Sequence, residues 1–168
     1  SMKFAALVVG AVMMYIVMRI LGHTHSDIGI TRQRTIYSLK TVLPITIALI
    51  IAAGLFLLLG KPRFSPTEGI GFYVFYVLIS CPAQELLFRG ILSRMLQELG
   101  AHRVLELGVA AALFGYVHII YGDMLTVVIM SIVGLFWYRA YQRSSNIIGV
   151  TISHVVLGVM TIALGIID

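Results

Sequence analysis

Long apolar runs separated by short polar stretches dominate the pattern of this chain. Six segments come near the roughly 20 residues that a helix needs to cross a bilayer core of about 30 Å. They cover approximately residues 3–21, 39–60, 69–99, 103–121, 123–143 and 145–167. The pattern therefore predicts an all-α, polytopic integral membrane protein of about six transmembrane helices, forming a single transmembrane domain over residues 1–168.

Composition supports a membrane protein and excludes a soluble one. Of the 168 residues, 60% are hydrophobic and 11% are charged, and the mean hydropathy is +1.01. Soluble domains carry roughly a quarter charged residues, and a chain of this length could not cover so large an apolar core with so few polar side chains. Membrane lipid is thus the first expected partner. The net charge of +5 fits basic cytoplasmic loops, and we expect no nucleic-acid binding.

The distribution of charge predicts an orientation. Residues 23–40 contain Arg32, Arg34 and Lys40 against a single Asp27, which favours a cytoplasmic loop. Alternation then places the N-terminus outside, together with the acidic residues Asp123 and Asp168. It places Arg139 and Arg143, two basic residues at the end of the fifth segment, inside. The small size favours a prokaryotic cell membrane.

The third and fourth segments predict a helical hairpin whose tip stands clear of the lipid on the cytoplasmic side. The third segment becomes amphipathic after Pro82 and ends at Gly100. Glu85 lies about 16 residues before this tip and His118 about 17 after it, so at ~1.5 Å per residue the two reach a similar depth. His154 lies eight or nine residues beyond the next predicted cytoplasmic turn, roughly 13 Å into the membrane. These three side chains could then share one site, opening toward the cytoplasm.

Ionisable residues at membrane depth are costly, so their positions are informative. Glu85 and Arg89 are four residues apart, a spacing that allows an ion pair and keeps the carboxylate charged. The pair could be purely structural. His118 opposite Glu85 could instead polarise a water as a general-base pair, and His154 would be a third member.

A zinc site made of Glu85, His118 and His154 is a minority alternative. One carboxylate and two imidazoles suit zinc with an open water position. The residues lie on three separate helices, however, and no second shell for the imidazoles is evident from the sequence. We expect no other cofactor.

The residues also resemble a known family. The run from Gln84 to Gly90 is similar to the Glu-Glu-x-x-x-Arg signature of the CAAX-protease and bacteriocin-processing family, also called Abi. Phe114 to His118 resembles its second motif, Phe-x-x-x-His, and His154 stands where its third motif begins. The similar region runs from about residue 69 to 160. The resemblance implies hydrolysis of a peptide bond in a membrane-associated peptide or protein, in prenyl-protein processing or in bacteriocin maturation and self-immunity.

The resemblance also implies roles for single residues. In the family, the first Glu of the pair and the second-motif His activate water, while the third-motif His and an Asn four residues later stabilise the oxyanion. These roles fall on Gln84, His118, His154 and Gly158. Two positions depart from the pattern, since a glutamine amide cannot take a proton from water near neutral pH and glycine has no side-chain donor.

Three explanations of Gln84 stay open. It could be an engineered inactivation, because Ser1 before Met2 resembles the remnant of a cleaved tag. Alternatively, Glu85 could take over as the base, or the chain could be a non-catalytic immunity or scaffold protein that binds peptides or lipids. The leading interpretation is a glutamic-type intramembrane endopeptidase. A small transporter is a weaker alternative, since the sequence shows no inverted repeat.

Overall fold

Six long helical segments make up the protein. The computed structural model describes residues 2–167, with side chains from residue 5 onward. The segments are α1 (Met2–Ile20), α2 (Thr35–Leu59), α3 (Ile70–Glu98), α4 (Arg103–Tyr121), α5 (Met124–Ser144) and α6 (Ile147–Ala163). Residues 2–167 contain no β-strand. The predicted all-α class is confirmed, and each of the six predicted segments is helical.

Helix length separates two groups among the six. The four helices α2 to α5 are long and apolar enough to cross a membrane, whereas Ala5–Ile20 and Ile147–Ala163 are shorter apolar helices. Many apolar side chains on the outside of the bundle are exposed, for example Leu58 at 83% and Leu59 at 88%. Such a surface is stable in lipid rather than in water. The full count of six crossings stays a prediction.

The connecting segments gather at two opposite ends of the bundle, as alternation along the chain requires. At one end, the Arg34 guanidinium donates to the Arg143 carbonyl at 3.0 Å, and the Gln142 amide donates to the Arg103 carbonyl at 2.9 Å. We call this the basic end; it comprises residues 21–34, 99–102 and 145–146. Ser1 and Asp168 lie outside the described residues. The side of the membrane that the basic end faces stays a prediction.

The predicted hairpin between α3 and α4 is present. Gly100, with φ of 74°, turns the chain after α3, and the His102 ring accepts from the Leu105 amide at 3.2 Å to cap α4. The tip is held by the rest of the protein, because His23 Nε2 lies 3.0 Å from Glu98 Oε1. Whether the tip projects from a membrane stays a prediction.

Helix α3 is irregular in a way that the sequence did not predict. Two π-helical stretches, Tyr76–Ser80 and Leu86–Ile91, flank a short α-helical piece, Cys81–Glu85. Pro82 in this piece has no amide hydrogen for the preceding turn. Each π-turn widens the helix by one residue and so changes the direction of the side chains that follow it. Such turns are common at functional sites, and here they bracket Gln84 and Glu85.

The main core lies between α2, α4, α5 and α6. Its buried members are Val42, Phe114, Val133, Trp137, Ala140, Tyr141, Ile147, Val150 and Leu157. Helices α2 and α6 approach closely at Gly149, where an added Cβ would lie 2.5 Å from the Ser38 hydroxyl oxygen. The glycine is therefore required for this contact between backbones.

Hydrogen bonds of Asn146 connect the basic end to the start of α6. It is fully buried, and its amide nitrogen donates to the carbonyl oxygens of Thr31 and Gln33, both at 2.8 Å. Its Oδ1 accepts from the Ile148 amide at 2.8 Å, which caps the helix. One side chain thus fixes both the 21–34 loop and the helix that carries His154.

We expect Asn146→Ala to destabilise the protein by about 2–3 kcal/mol, since it removes two hydrogen bonds and a helix cap. Asn146→Ser keeps a capping oxygen but not the two amide donors, so it should cost about 1 kcal/mol less. Thermal unfolding in detergent micelles measures both variants. Equal stabilities of the Ala and Ser variants would show that the cap contributes nothing.

At the other end of the bundle, Asp123 joins the 60–69 loop to the start of α5. Its carboxylate accepts from the hydroxyl and the amide of Thr126, and Arg63 Nη2 lies 2.5 Å from Oδ2. The Thr126 hydroxyl and then the Arg63 guanidinium lower the pKa of Asp123 from 3.8 to about 2. The charged form is thus favoured in the folded state.

A lowered pKa in the folded state means that the Asp123 contribution to stability is complete well above pH 3.8 and is lost as the pH falls through about 2. We expect Asp123→Asn to lower the melting temperature at pH 7, and the difference from wild type to narrow below pH 4. Glu68→Gln is the control, since Glu68 forms no ion pair with the described residues. A difference of the same size at pH 7 and pH 3 would contradict this assignment.

Candidate functional site

A cavity of about 330 Å³ lies inside the bundle between α2, α3, α5 and α6 and the end of α4. Gln84, His118 and His154 line it, together with Tyr76 and Trp137, and most of its other lining side chains are apolar. The structure thus brings together three side chains from three different helices at one depth. Glu85 and Arg89, which the sequence grouped with them, are not among the lining residues.

The Glu85 carboxylate is shared between two basic groups. It is fully buried, with Oε1 at 2.7 Å from His154 Nδ1 and Oε2 at 3.1 Å from Arg89 Nε. Oε2 and Nε are at ion-pair distance without the alignment of a hydrogen bond. The contact that the spacing of Glu85 and Arg89 allows is therefore present. The predicted partner His118 is replaced by His154, because the Glu85 side chain points from α3 toward α6.

Arg89 is held mainly by aromatic rings. Its side chain is 1% exposed, and its guanidinium carbon lies 4.0 Å from the centre of the Phe114 ring and 5.4 Å from that of Trp137. None of its three nitrogens forms a hydrogen bond within the described part of the chain. Cation–π attraction and the Glu85 charge therefore stabilise this buried cation.

Of the two imidazoles in the cavity, His154 has the more constrained orientation. Because a carboxylate can only accept, the contact with Glu85 assigns the proton to Nδ1 and leaves Nε2 for chemistry in the cavity. The Trp137 ring lies 4.7 Å from the imidazole, and its indole nitrogen donates to the Ser153 hydroxyl at 2.9 Å. Trp137 thereby fixes one face of His154.

His118 has the same tautomer for a different reason. It lies in the short 3-10 turn Val117–Tyr121 that ends α4, and its Nδ1 is 2.7 Å from the Phe114 carbonyl oxygen. A carbonyl only accepts, so Nδ1 carries the proton and Nε2 keeps its lone pair. Both imidazoles therefore have a partner that orients them, although no such second shell was evident from the sequence.

The zinc alternative is not assembled by the described side chains. Within residues 2–167, no three or more His, Cys, Asp or Glu groups are placed to hold a metal ion. Glu85 is occupied by Arg89 and His154 instead.

Gln84 presents an acceptor to the cavity. It is 8% exposed, and its amide nitrogen donates to the Ser80 hydroxyl at 3.1 Å, one turn earlier on α3. The amide oxygen is then left to accept a hydrogen bond. Gln84 can orient a water molecule in this position, but it cannot deprotonate one.

The cavity does not extend toward the basic end. Its lining continues past Leu157 to Ile166, Ile167 and Arg63, which lie at the opposite end of the bundle. The sequence predicted an opening on the side of the basic loops, and the cavity runs away from that side. His118 and His154 do line one cavity, but the direction of access depends on how α6 and the 60–69 loop pack.

Sequence reasoning missed Tyr76 and Trp137. Both are buried, at 7% and 2% exposure, and both line the cavity. Aromatic residues in an apolar helix are typical of any membrane core, so nothing local distinguishes these two. A search for aromatic rings that could pack against Arg89 and His154 is the route by which the sequence could have suggested Tyr76 and Trp137.

Two ion pairs of the same spacing on α3 allow a matched test. Arg89→Ala leaves Glu85 buried beside a single partner, so we expect a loss of about 3–5 kcal/mol in stability and a lower yield. Arg94→Ala breaks an exposed pair with Glu98, whose side chains are 35% and 41% exposed, and should cost less than about 0.5 kcal/mol. Thermal unfolding compares them. Equal losses in the two variants would refute the importance of the buried pair.

A comparison with protein families gives one match. The model of the Rce1-like family, described as type II CAAX prenyl endopeptidase Rce1-like, matches residues 66–160. The matched region contains Glu85, Arg89, His118 and His154 and covers more than half of the chain. Neither the curated proteins nor the solved structures give a significant match. On the extent of this match, which includes Gln84, His118 and His154, the chain belongs to the Rce1-like family of type II CAAX prenyl endopeptidases, a family of membrane proteases.

Proposed function

We propose that the protein is an intramembrane endopeptidase that hydrolyses a peptide bond of a membrane-associated, prenylated substrate. The observation that carries the proposal is the convergence of His118, His154 and Gln84 from three helices on one largely apolar cavity. Such a cavity admits an apolar chain while it holds the polar groups that hydrolysis needs. Membership of a protease family supports the same conclusion.

In the proposed reaction His118 is the general base. Its Nε2 takes a proton from a water that also donates to the Gln84 amide oxygen, and the water oxygen then bonds to the substrate carbonyl carbon. The carbonyl π-electrons move to the oxygen, giving a tetrahedral oxyanion. When this collapses, the C–N bond breaks, and the His118 imidazolium returns the proton to the leaving nitrogen. The products are a carboxylic acid and an amine.

The Glu85–His154 pair stabilises charge in this scheme. A buried carboxylate on Nδ1 fixes the orientation of the ring. When a proton is also bound at Nε2, this carboxylate stabilises the positive charge of the ring, and the Nε2–H can donate to the oxyanion. Glu85 then supports His154 rather than acting as the base. Both of its oxygens face basic groups, and it does not line the cavity.

Gln84 makes the proposed reaction slow. The amide positions water but removes the proton acceptor that the family resemblance implies at this position, so a single imidazole carries the proton transfer. A non-catalytic role, as an immunity or scaffold protein, is the second candidate, favoured by Gln84 and by the absence of a side chain at Gly158.

The test uses purified protein in lipid nanodiscs and a fluorescence-quenched peptide ending in farnesyl-cysteine. We expect slow cleavage by the wild type and faster cleavage by Gln84→Glu. Adding His118→Ala to Gln84→Glu should reduce the rate by ~10²–10⁴. The control is His102→Ser, which changes a histidine at the α3–α4 turn and keeps a capping side chain.

The two candidate functions give different outcomes. Cleavage that requires His118 supports the endopeptidase. If Gln84→Glu has a normal melting temperature and cleaves no peptide of this type, the endopeptidase proposal fails and the non-catalytic role remains. We further propose a prokaryotic cell membrane as the location. The basic end would face the cytoplasm, so that substrate reaches the cavity from its other end.

A further inference from the structure

The space beside Gly158 is filled by a hydroxyl group from another helix. A Cβ added at Gly158 would overlap the Tyr76 hydroxyl oxygen and come within 2.8 Å of two ring carbons of the same side chain. No other residue is among the three nearest atoms. The tip of Tyr76 therefore occupies the volume that any side chain at position 158 would take, one helical turn after His154.

Tyr76 has the position of a group that acts in the cavity. It lines the cavity with Gln84, His118 and His154. Its ring meets the His154 ring edge-on, with centres 6.0 Å apart, and stacks on Phe72 at 5.8 Å. The ring is therefore held from two sides, which places its hydroxyl on the same side of the cavity as His154.

The local backbone explains this placement. Tyr76 is the first residue of the π-helical stretch Tyr76–Ser80, and the Cys81 amide donates to its carbonyl oxygen across the wide turn. The wide turn lies between Tyr76 and the piece of α3 that carries Gln84. Both side chains reach the same cavity from one helix.

The hydroxyl of Tyr76 can be redirected to a ligand at low cost. Its partner within the protein is the buried Cys81 thiol, and sulfur is a weak acceptor. An oxyanion is a far better acceptor for an O–H donor, since the hydrogen bond is then charge-assisted. Exchange of the thiol for a negatively charged oxygen is thus favourable in an apolar cavity.

We propose that the Tyr76 hydroxyl donates a hydrogen bond to the tetrahedral oxyanion, together with His154. The role that the family resemblance assigns to a side chain at position 158 is performed from α3, and Gly158 provides the room for it. This inference rests on the proposed hydrolysis, because the oxyanion forms in that reaction. It adds a catalytic residue that neither the family motifs nor the family match assigns.

Removal of a single oxygen tests the assignment. Tyr76→Phe keeps the ring against Phe72 and His154 and deletes only the donor. In the Gln84→Glu background we expect kcat to fall by ~10²–10³, the loss typical of one oxyanion donor, with KM changed less than about threefold. Tyr73→Phe, the same change one turn earlier and outside the cavity lining, should leave both values unchanged.

A binding measurement separates this role from turnover. The probe is a farnesyl-cysteine peptide in which a phosphinate replaces the scissile amide, and the reference is the same peptide with an N-methylated amide. The phosphinate carries a tetrahedral, negatively charged centre. Tyr76→Phe should weaken its binding by ~10² and leave the N-methyl peptide unaffected.

A swap of the two positions supplies a second variant. Tyr76→Ala with Gly158→Asn removes the phenol and places an amide donor in the vacated volume, so tight phosphinate binding should return. Gly158→Asn alone should lose it, because Tyr76 already fills that volume. Recovery in the double variant would not occur if Tyr76 served packing only.

The outcomes are distinct. Equal phosphinate affinity in wild type and Tyr76→Phe overturns the assignment, as does a wild type that binds the phosphinate no better than the N-methyl peptide. Loss of phosphinate affinity in Tyr76→Phe supports it. If that loss is found while no variant cleaves any peptide, the proposed hydrolysis fails, and Tyr76 stands only as the donor to a tetrahedral anion bound in the cavity.

Discussion

The buried carboxylate of Glu85 is the constraint on which the rest of the interior depends. A single negative charge inside an apolar bundle is tolerable only when positive groups contact it, and here Arg89 and His154 both do. Arg89 in turn requires the faces of Phe114 and Trp137, and Trp137 requires the Ser153 hydroxyl. Three helices are thereby linked to α3 through one charge.

This linkage also divides the polar interior into two functions. Glu85 and Arg89 lie behind the cavity and fix the geometry of His154, whereas Gln84, His118 and the Nε2 side of His154 face the cavity. Adjacent residues on one helix, Gln84 and Glu85, therefore have unlike roles. The Glu85 charge is neutralised within the protein, and the cavity retains two imidazoles that can exchange protons with a ligand.

Much of this arrangement could be predicted from the sequence because it follows from local rules. Apolar runs predicted the six helices, Gly100 marked the turn between α3 and α4, and the distances of Glu85, His118 and His154 from the turns predicted a common depth. Partner choice could not be predicted. Successive residues on a helix point about 100° apart. To predict that Glu85 contacts His154 and not His118, one must therefore know the rotation of each helix about its own axis, which tertiary packing sets. The π-turns of α3 add to that rotation and leave no clear trace in the sequence beyond Pro82.

The wide turn at Leu86–Ile91 has a consequence for how this protein could change in evolution. A π-turn contains one residue more than the α-helical turn it replaces, so deletion of any one residue in this stretch would let the backbone relax to a regular helix. A deletion between Glu85 and Arg89 would shorten their spacing from four residues to three and so change the direction of Arg89 relative to the Phe114 ring. The cation–π contact of Arg89 would then be disturbed with the fold of α3 intact. Selection should therefore remove insertions and deletions in this stretch, even though substitutions at its lipid-facing positions are tolerated.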